Sequence, residues 1–576
     1  MLIPKRGRNP RRWHQALMWG VALIWSQAAS AAADWVLRGG TVYSLDASSA
    51  DYSALAMTGN RITWMGDSDA AAQHIGPDTE VVELAGRVVF PGFIDTHIHS
   101  MDTLPLVNGA MLSPYQSAEE VMATLAEHAR KHPYQNPVLG SGFLAPAFGL
   151  GGPTAAQLDA IVPDRPALII DEGGHTAWAN TLALAAAGID RDTPDPIPGA
   201  HFYKRDEDGV PTGWLVEGAA IAPVSEALKL VSEEALALAA PAFFREMSAV
   251  GLTAAFDAGM IETGELGRQL GLKMAESGAL PLRMVASLYV NQPEQLTDAL
   301  LRLSALNRRY QHELFAVTTL KLSLDGTVEA RTAVMLEPYI LPEGHQAQPL
   351  LPNPAMFDAV DAAHAANIDL HLHAIGDGAV RAALDAIERA KDRHPASVTR
   401  TAICHIEIVS APDVARFSEL GAVAQTTPTW FYYDDLALEY LGTDRFNQMY
   451  PLESILRHGG KVTLGSDYPV SWIGKDALNP MFNIEMAVTR QQAGNPEVPV
   501  QPRASERLSV DQAIRAHTVD AAWQLRLEDQ IGTLEVGKLA DIVVLDRDPY
   551  LSDPYALHRV LVDHTFSNGR LVFSRP

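Results

Sequence analysis

Two histidines, His97 and His99, end the apolar run Val88–His99, and their spacing is the first sign of chemistry in this sequence. Side chains at positions i and i+2 of a strand point to the same face, so both imidazoles would face the same side. Two imidazoles placed in this way can bind one metal ion. A His-x-His pair alone is usually incidental, but the preceding Pro91-Gly92 makes this pair much more specific.

Three later apolar stretches also end in residues that can bind metal, namely His373, His405 and Asp467. Each of them alone is as readily a core or loop residue with ordinary hydrogen bonds. A polar group that ends an apolar strand is nevertheless costly to bury without a partner. Four strands that end in this way predict a shared site. His371 lies on the same strand face as His373 but one layer deeper, and we interpret it as a supporting or core residue.

Lys321 lies inside the apolar stretch Thr319–Asp325, where a closed barrel would bury its amine. Burial favours the neutral amine. A neutral lysine amine can react with carbon dioxide to give a carbamate, an anionic oxygen ligand that can bridge two metal ions. The alternative is a salt bridge from Lys321 to Asp325 or Asp467, which the residues alone favour slightly.

The middle of the chain alternates apolar strands with helical stretches, which is typical of a parallel α/β architecture. Eight strands are predicted: Val88–His99, Thr253–Ala258, Leu282–Val290, Thr319–Asp325, Asp369–Ile375, Thr401–Ile406, Ala422–Thr427 and Val462–Asp467. Eight such units predict a (β/α)₈ TIM barrel. The gap after the first strand is too long for an ordinary crossover, so it predicts an inserted α+β subdomain with a strand at Pro166–Asp171 and helices at Ser117–Lys131 and Ser232–Val250.

Both chain ends are rich in short alternating strands and turns, which predicts one small β-sandwich built from the two ends. The predicted segments are a signal peptide (1–33), the N-terminal part of the sandwich (34–89), the first barrel strand (90–104), the inserted subdomain (105–245), the main barrel (246–525) and the C-terminal part of the sandwich (526–576).

The composition excludes several classes of partner. Of the 576 residues, 47% are hydrophobic and 20% are charged, which is ordinary for a globular protein and argues against extensive disorder. A formal net charge of −25 disfavours nucleic acid and anionic lipid, so we expect a small-molecule substrate. Cys404 is the only cysteine, which excludes an intrachain disulfide and a thiolate cluster. The oligomeric state stays open, with a homo-oligomer among the alternatives.

Residues 1–33 have the pattern of a secretory signal peptide: five Lys and Arg without an acidic residue, then the apolar run Ala16–Trp25, then Ala-rich small residues. This pattern predicts a secreted or periplasmic protein. The alternative is an uncleaved membrane anchor, although the strongly apolar part is shorter than the roughly 20 residues that a span needs. No other segment has the length and apolarity of a span, so we expect none after leader removal.

With these motifs the chain resembles the amidohydrolase superfamily, specifically the amidohydrolase-3 group of YtcJ-like proteins and N-substituted formamide deformylases. The resemblance covers nearly all of the mature chain. It rests on the segments Pro91–His99, Gly173–Asn180, Pro211–Glu217, Gly251–Thr253, His373–Asp377, Gly465–Val470 and Gly532–Asp541.

The resemblance implies a role for each matching residue. His97 and His99 would bind the more buried of two divalent metal ions, His373 and His405 the more exposed one, and a carboxylated Lys321 would bridge them. Asp467 would be both a metal ligand and the catalytic proton shuttle. Zinc suits an imidazole-rich site, but manganese, iron and cobalt stay open. Where many relatives have Glu-His this chain has Cys404-His405, and we expect Cys404 to point away from the barrel axis.

These roles predict hydrolysis of a non-peptide amide-type C–N bond, of a formamide or N-acyl compound, by a metal-bound hydroxide. His175, Trp178 and Glu217 in the inserted subdomain are candidate substrate contacts, with packing inside the insertion as the equal alternative. Two other functions stay open. A mononuclear deaminase of the same superfamily would not need Lys321, and a non-catalytic regulatory or binding protein on this fold would have no reason to keep all six site residues.

Overall fold

The computed structural model describes residues 32–47, 52–107, 109–113, 116–470 and 474–576. The predicted signal peptide lies almost entirely outside these residues, so it stays a prediction. Within the described ranges, no helix has the length and apolarity needed to cross a membrane.

The predicted (β/α)₈ barrel is confirmed. Its eight strands follow one another around the barrel in chain order, each parallel to its neighbours. Barrel strands 1 to 8 are Phe93–Ile98, Leu252–Asp257, Arg283–Val290, Phe315–Ser323, Leu370–Ala374, Thr401–His405, Val423–Thr426 and Lys461–Leu464. The short strand Gln311–His312 pairs with strand 4 as a hairpin.

The first predicted strand is divided in two at Gly92. Val88–Pro91 belongs to the sheet of the terminal domain, and barrel strand 1 begins at Phe93. A Cβ at Gly92 would collide with Thr253, so glycine lets the chain pass closely over strand 2 as it enters the barrel.

Strands 1 and 8 meet at a seam that is joined by side chains as well as by the backbone. The Asp467 amide donates to the His97 carbonyl at 2.7 Å, and the Thr96 hydroxyl donates to the Leu464 carbonyl at 2.8 Å. Asp95 Oδ1 accepts hydrogen bonds from the amides of His97 and Ser466, both at 3.0 Å. The seam therefore places the carboxyl ends of the first and last strands side by side.

Helices cover the barrel and follow most of its strands. The α-helices are Ser100–Thr103, Ala118–Lys131, Ala155–Asp159, Thr181–Ala186, Gly218–Ala227, Glu233–Ala249, Gly264–Glu276, Ala299–Arg309, Asn353–Ala366, Asp377–Arg393, Val414–Leu420, Asp435–Leu441, Thr443–Phe446, Leu452–Arg457, Pro480–Thr489, Val510–Ala516 and Val519–Gln524. The two helices predicted in the insertion are confirmed, and the first begins with a capping box between Ser117 and Glu120.

Both chain ends build one small β-rich domain, as predicted for the sandwich. Its strands are Trp35–Val42, Tyr52–Thr58, Arg61–Gly66, Glu80–Glu83, Val88–Pro91, Ile542–Leu545, Val562–Ser567 and Arg570–Ser574. The two halves meet where Ile542–Leu545 pairs antiparallel with Val88–Pro91.

The inserted segment has its own six-stranded sheet, as expected for an α+β subdomain. In sheet order its strands are Phe202–Arg205, Pro211–Val216, Thr176–Ala179, Ala167–Asp171, Val138–Phe143 and Ala110–Met111. The helix Glu233–Ala249 returns to the barrel, because Phe243, Phe244 and Met247 pack into the main hydrophobic core.

A buried ion pair joins the barrel to the terminal domain. Arg283 at the start of strand 3 lies 3.2 Å from Asp541, and both side chains are at most 5% exposed. The Asp541 carboxylate also accepts a hydrogen bond from the Asn568 amide at 2.7 Å. The ion pair and this hydrogen bond therefore hold the start of the barrel against the terminal sheet.

We predict that Asp541→Ala lowers the free energy of unfolding by about 3–5 kcal/mol, because it leaves the Arg283 charge buried without a partner. Urea unfolding followed by circular dichroism measures the change. Glu83→Ala, which breaks an exposed ion pair with Arg38 in the same domain, is the control and should change little. Equal unfolding midpoints for the two variants would contradict the role of the buried pair.

Candidate metal centre

Three of the predicted ligands form a triangle of ligand atoms at the seam. His97 Nε2 and His99 Nε2 each lie 3.4 Å from the same atom, Asp467 Oδ1. Ligand atoms bound at 2.0–2.1 Å to one tetrahedral zinc ion lie about 3.3–3.4 Å apart. Asp467 Oδ1 is buried and has no hydrogen-bond partner. The three atoms therefore fit one divalent metal ion.

The outer nitrogens of these two histidines fix which ring atom faces the centre. His99 Nδ1 donates to the Gly259 carbonyl at 2.9 Å, which leaves Nε2 free for a metal. His97 Nδ1 lies 3.2 Å from Gln425 Oε1 and 3.0 Å from His371 Nε2. His371 thus contacts a ligand histidine from the deeper layer, as the sequence predicted. Such contacts orient a metal-binding imidazole and set its tautomer.

His373 and His405 form the second part of the centre. Their ring centroids are 4.3 Å apart, and His373 Nε2 and His405 Nδ1 are buried without a hydrogen-bond partner. His405 Nδ1 lies 3.5 Å from Asp467 Oδ2, so Asp467 is shared by both halves. Unpartnered buried nitrogens are costly, and a metal ion would remove that cost.

Burial keeps the imidazoles in the form that binds metal. It lowers the pKa of His97, His373 and His405 well below the usual range, and lowers that of His99 to about 4. Burial also raises the pKa of Asp467 to about 8, against the opposing effect of the nearby Lys321. A bound dication would favour the carboxylate form of Asp467.

Two of these ligands reach the centre through left-handed backbone. Asp467 has a φ of 50° and His405 a φ of 73°, outside the region that non-glycine residues usually adopt. Gly465 makes room for this turn, because a Cβ there would collide with the backbone of His97. Such strain is kept only where the surroundings impose it, as functional sites do.

Lys321 lies at the middle of the centre and is 1% exposed. Its Nζ is 3.3 Å from His97 Nε2 and 3.4 Å from Cys404 Sγ. Among the ion pairs of the described residues, none joins Lys321 to Asp325 or Asp467, the two partners of the salt-bridge alternative. Lys321 is thus placed among the ligand histidines.

The expectation that Cys404 points away from the barrel axis is wrong. In the parallel pairing of strands 5 and 6, Cys404 lies beside His373 and therefore faces the same side. Its thiol is buried, which raises its pKa to about 12 and keeps it protonated. Cys404 Sγ lies close enough to ligand atoms of His97 and His405 to share an ion with them. The pairing of strands 5 and 6 indicates that Cys404 faces the centre, which the family pattern did not indicate.

Asp325 supports the site, although the sequence analysis considered it only as a salt-bridge partner of Lys321. Its carboxylate accepts hydrogen bonds from the amides of Ile375, Gly376 and Val334 at 2.9–3.0 Å. These bonds hold the turn that follows His373. The signal in the sequence was an Asp at the end of the predicted apolar strand Thr319–Asp325.

A cavity of about 170 Å³ opens above the centre. His99, Lys321, His373, His405 and Asp467 line it, whereas His97 lies deeper. The insertion and the loops after the strands supply the other walls, which are mainly apolar.

Of the three predicted substrate contacts, His175 and Glu217 line this cavity. The pairing of Thr176 with Val216 sets them side by side, and His175 Nδ1 lies 2.8 Å from Glu217 Oε2. Burial alone would lower the pKa of His175, but Glu217 raises it to about 9. The contact with Glu217 therefore favours the protonated form of His175, whose ring lies 5.2 Å from that of His373.

Trp178 does not reach the cavity, in contrast to the prediction. Its side chain is fully buried against Phe143 and Phe148, and its Nε1 donates to the Thr154 carbonyl at 2.7 Å. Trp178 and His175 are three residues apart, but Trp178 lies within the strand Thr176–Ala179 and points into the core of the insertion.

A (β/α)₈ barrel with histidines, a lysine and an aspartate gathered at the carboxyl ends of its strands defines the class of metal-dependent barrel hydrolases. The model of the amidohydrolase family matches residues 80–573 of this chain. The chain belongs to this family.

A regulatory protein and an enzyme are among the known proteins similar to the chain, and a solved structure shares its fold. The exoenzymes regulatory protein AepA of Pectobacterium carotovorum is 29% identical over 74% of this chain and 92% of that protein. The N-substituted formamide deformylase of Arthrobacter pascens is 26% identical over 94% of this chain and 98% of that protein. A metal-dependent hydrolase from Pyrococcus horikoshii shares the fold, with a TM-score of 0.69 and 23% identity over 90% of this chain and 99% of that chain.

We predict that His371→Asn weakens metal binding by roughly 10- to 100-fold, because it removes a group that orients His97. Competition with a chromophoric chelator measures the affinity. His364→Asn is the control, since His364 is also buried but lies on the outer helix Asn353–Ala366. An unchanged affinity in the His371 variant would show that His371 only packs the core.

Proposed function

We propose that this protein is a metal-dependent hydrolase that cleaves a non-peptide amide-type C–N bond of a formamide or N-acyl compound. The observation that carries the proposal is the set of buried, unpartnered ligand atoms of Asp467, His373 and His405 around Lys321. The formamide deformylase that resembles the chain over 98% of its own length supports this bond type. The leader pattern supports action outside the cytoplasm.

We infer that these residues would hold two divalent ions, for which zinc is the best candidate. His97 and His99 would hold the deeper ion, and His373 and His405 the ion nearer the cavity, with Asp467 and a carboxylated Lys321 as further oxygen ligands. When bound, the metal supplies a Lewis acid and lowers the pKa of water from about 15.7 towards neutrality.

Asp467 is the group that moves the proton in this proposal. Its two oxygens face both halves of the centre, at 3.4 Å from His99 Nε2 and 3.5 Å from His405 Nδ1. A buried carboxyl group so placed can accept a proton from the attacking water and return it to the leaving nitrogen. The carboxylate form of Asp467, which a bound dication would favour, is the form that accepts the proton.

His175 is placed to bind the carbonyl oxygen of the substrate. Its contact with Glu217 favours the protonated form, and its ring lines the cavity beside His373. A fixed donor that points at developing negative charge stabilises the transition state. Thr332 donates to the other oxygen of Glu217 at 2.9 Å, which anchors this pair to the loop after barrel strand 4.

The apolar walls of the cavity favour a substrate with a hydrocarbon part. Ile170, Ile221, Leu230 and Val231 face the space above the metal centre. Closing such walls around the scissile bond excludes bulk water and strengthens the polar contacts inside.

A regulatory role is the second candidate, because the relative AepA is named for regulation. Catalytic activity of the metal-loaded protein separates the two candidates. A regulatory protein would bind metal and ligand without turnover.

Lys321→Ala is predicted to lower the metal content from about two ions per chain to one or fewer, because it removes the bridging oxygens. Elemental analysis of the purified protein measures the content. In addition, labelled ¹³C-bicarbonate should give a carbamate carbon signal in the parent that is absent from the variant. Lys273→Ala, at an exposed lysine, is the control. One ion in both proteins would favour the mononuclear deaminase instead.

Asp467→Asn is predicted to lower the rate of formamide hydrolysis by roughly 10²–10⁴-fold, because the amide cannot shuttle the proton. Release of formate from a panel of N-alkyl and N-aryl formamides and N-acyl amines gives the rate. Metal content is measured in parallel to separate lost chemistry from lost metal. If the fully metal-loaded parent protein hydrolyses no compound in the panel, the result contradicts the proposed function and favours the regulatory role.

A further inference from the structure

A second, very small cavity adjoins the one above the metal centre and is lined by four carboxylates. They are Glu172 from the insertion, Glu329 after barrel strand 4, Glu407 after strand 6 and Asp434 after strand 7. Glu172 and Glu407 are 4% exposed, Asp434 is 8% exposed and Glu329 is half-buried. The proposed mechanism uses none of them.

The acidic cavity, as we name this space, has no basic residue in its lining. Asp434 accepts a hydrogen bond from the Ala437 amide at 2.9 Å, and Glu407 accepts one from Tyr450. Glu172 Oε1 is buried and has no hydrogen-bond partner among the residues that the structure describes. Buried carboxylates are costly unless a positive charge compensates them, so this lining favours a cationic ligand.

The crowding of acidic groups also shows in the pKa values of three of the four carboxyl groups. Burial, together with repulsion from the neighbouring carboxylates, raises the pKa of Glu172 well above the usual range. The same causes raise that of Glu329 to about 7, and burial raises that of Asp434 to about 6. A bound cation would reverse these effects.

Trp430 joins the acidic cavity to the metal centre. Its indole ring stacks on His405, with ring centroids 5.3 Å apart and planes at 18°. Trp430, Gly173 and Thr327 line both cavities. A ligand that lies over the metal centre can therefore extend past the edge of Trp430 into the acidic cavity.

We propose that the acidic cavity binds a primary ammonium group of the substrate, so that this enzyme prefers amides that carry an alkylammonium chain. The inference rests on the proposed function, because it places one end of the hydrolysed amide in this cavity. An ammonium group has three N–H donors for the carboxylates. The aromatic rings of Trp430, Tyr432 and Tyr450 in the lining suit an organic cation.

The size and the ligand arrangement both favour ammonium over a metal ion. The cavity measures about 10 Å³, which is room for one group the size of a water molecule. A primary ammonium group has this size, whereas a quaternary ammonium group is larger. Among the described residues, the sets of ligand atoms close enough to share one metal ion involve the histidines and none of these carboxylates.

Matched substrate pairs test the proposal on the metal-loaded protein. Mono-N-formyl-diaminobutane is compared with N-formylpentylamine, which replaces the ammonium by a methyl group, and a second pair carries the ammonium on the acyl half. For at least one pair, kcat/KM should be about 10- to 100-fold higher for the charged member, the value of a hydrogen bond to a charged group.

Glu172→Gln should remove most of this preference, which is read as the ratio of kcat/KM for the charged member to kcat/KM for the neutral member. Glu337→Gln, at an exposed glutamate that lines neither cavity, should keep it. Glu329→Gln serves as the second variant if Glu172→Gln does not fold, as judged by circular dichroism. Equal kcat/KM for charged and neutral members of both pairs would overturn the proposal while leaving the proposed function intact.

Calorimetry supplies a readout that does not depend on turnover. Pentylammonium should bind the metal-loaded parent, pentanol should bind much more weakly, and Glu172→Gln should weaken pentylammonium binding about tenfold. Such binding in a protein that hydrolyses no amide would support the ammonium site and contradict the proposed function. If instead Ca²⁺ or Mg²⁺ binds in a manner that Glu172→Gln abolishes, and pentylammonium does not, the cavity is a metal site and the proposal fails.

Discussion

The structure depends on one constraint: the mouth of the barrel buries more ligand atoms than its own hydrogen bonds can satisfy. Asp467 Oδ1, His373 Nε2 and His405 Nδ1 all lack partners, and Asp467 stands within 3.5 Å of three imidazoles. Leaving such groups dry and unpaired costs several kcal/mol, roughly 1–3 for each neutral group. A bound metal cation would remove this cost. The strained left-handed turns at the ends of strands 6 and 8 would then be part of the metal site.

Much of this fold and most residues of the candidate site could be predicted from the sequence, because both follow local rules. Apolar strands of regular length with polar ends predict the barrel strands, and the i, i+2 spacing of His97 and His99 predicts a shared face. The rule of alternation fails where strands end. His405 and Cys404 are adjacent in the chain yet both face the centre, because the backbone of His405 turns left-handed.

The sequence predicts that the insertion exists, but not which of its residues face the barrel mouth. Which of its residues reaches the barrel mouth depends on how its sheet docks, and this depends on contacts between distant parts of the chain. His175 reaches the cavity and Trp178 packs inside the insertion, although both belong to one motif. The four carboxylates of the acidic cavity come from the insertion and three separate loops, so no local pattern in the sequence brings them together.

The two cavities share lining residues, so a substrate group bound in the acidic cavity lies close to the metal centre. Trp430 packs one face against His405 and borders the acidic cavity, so a group held there lies a single indole ring from the metal centre. Binding energy gained at a remote charged group can be used to position the scissile bond over the reacting atoms. In the function that we propose, the barrel supplies the chemistry common to the family, and the insertion, through Glu172, His175 and Glu217, selects the molecule on which it acts.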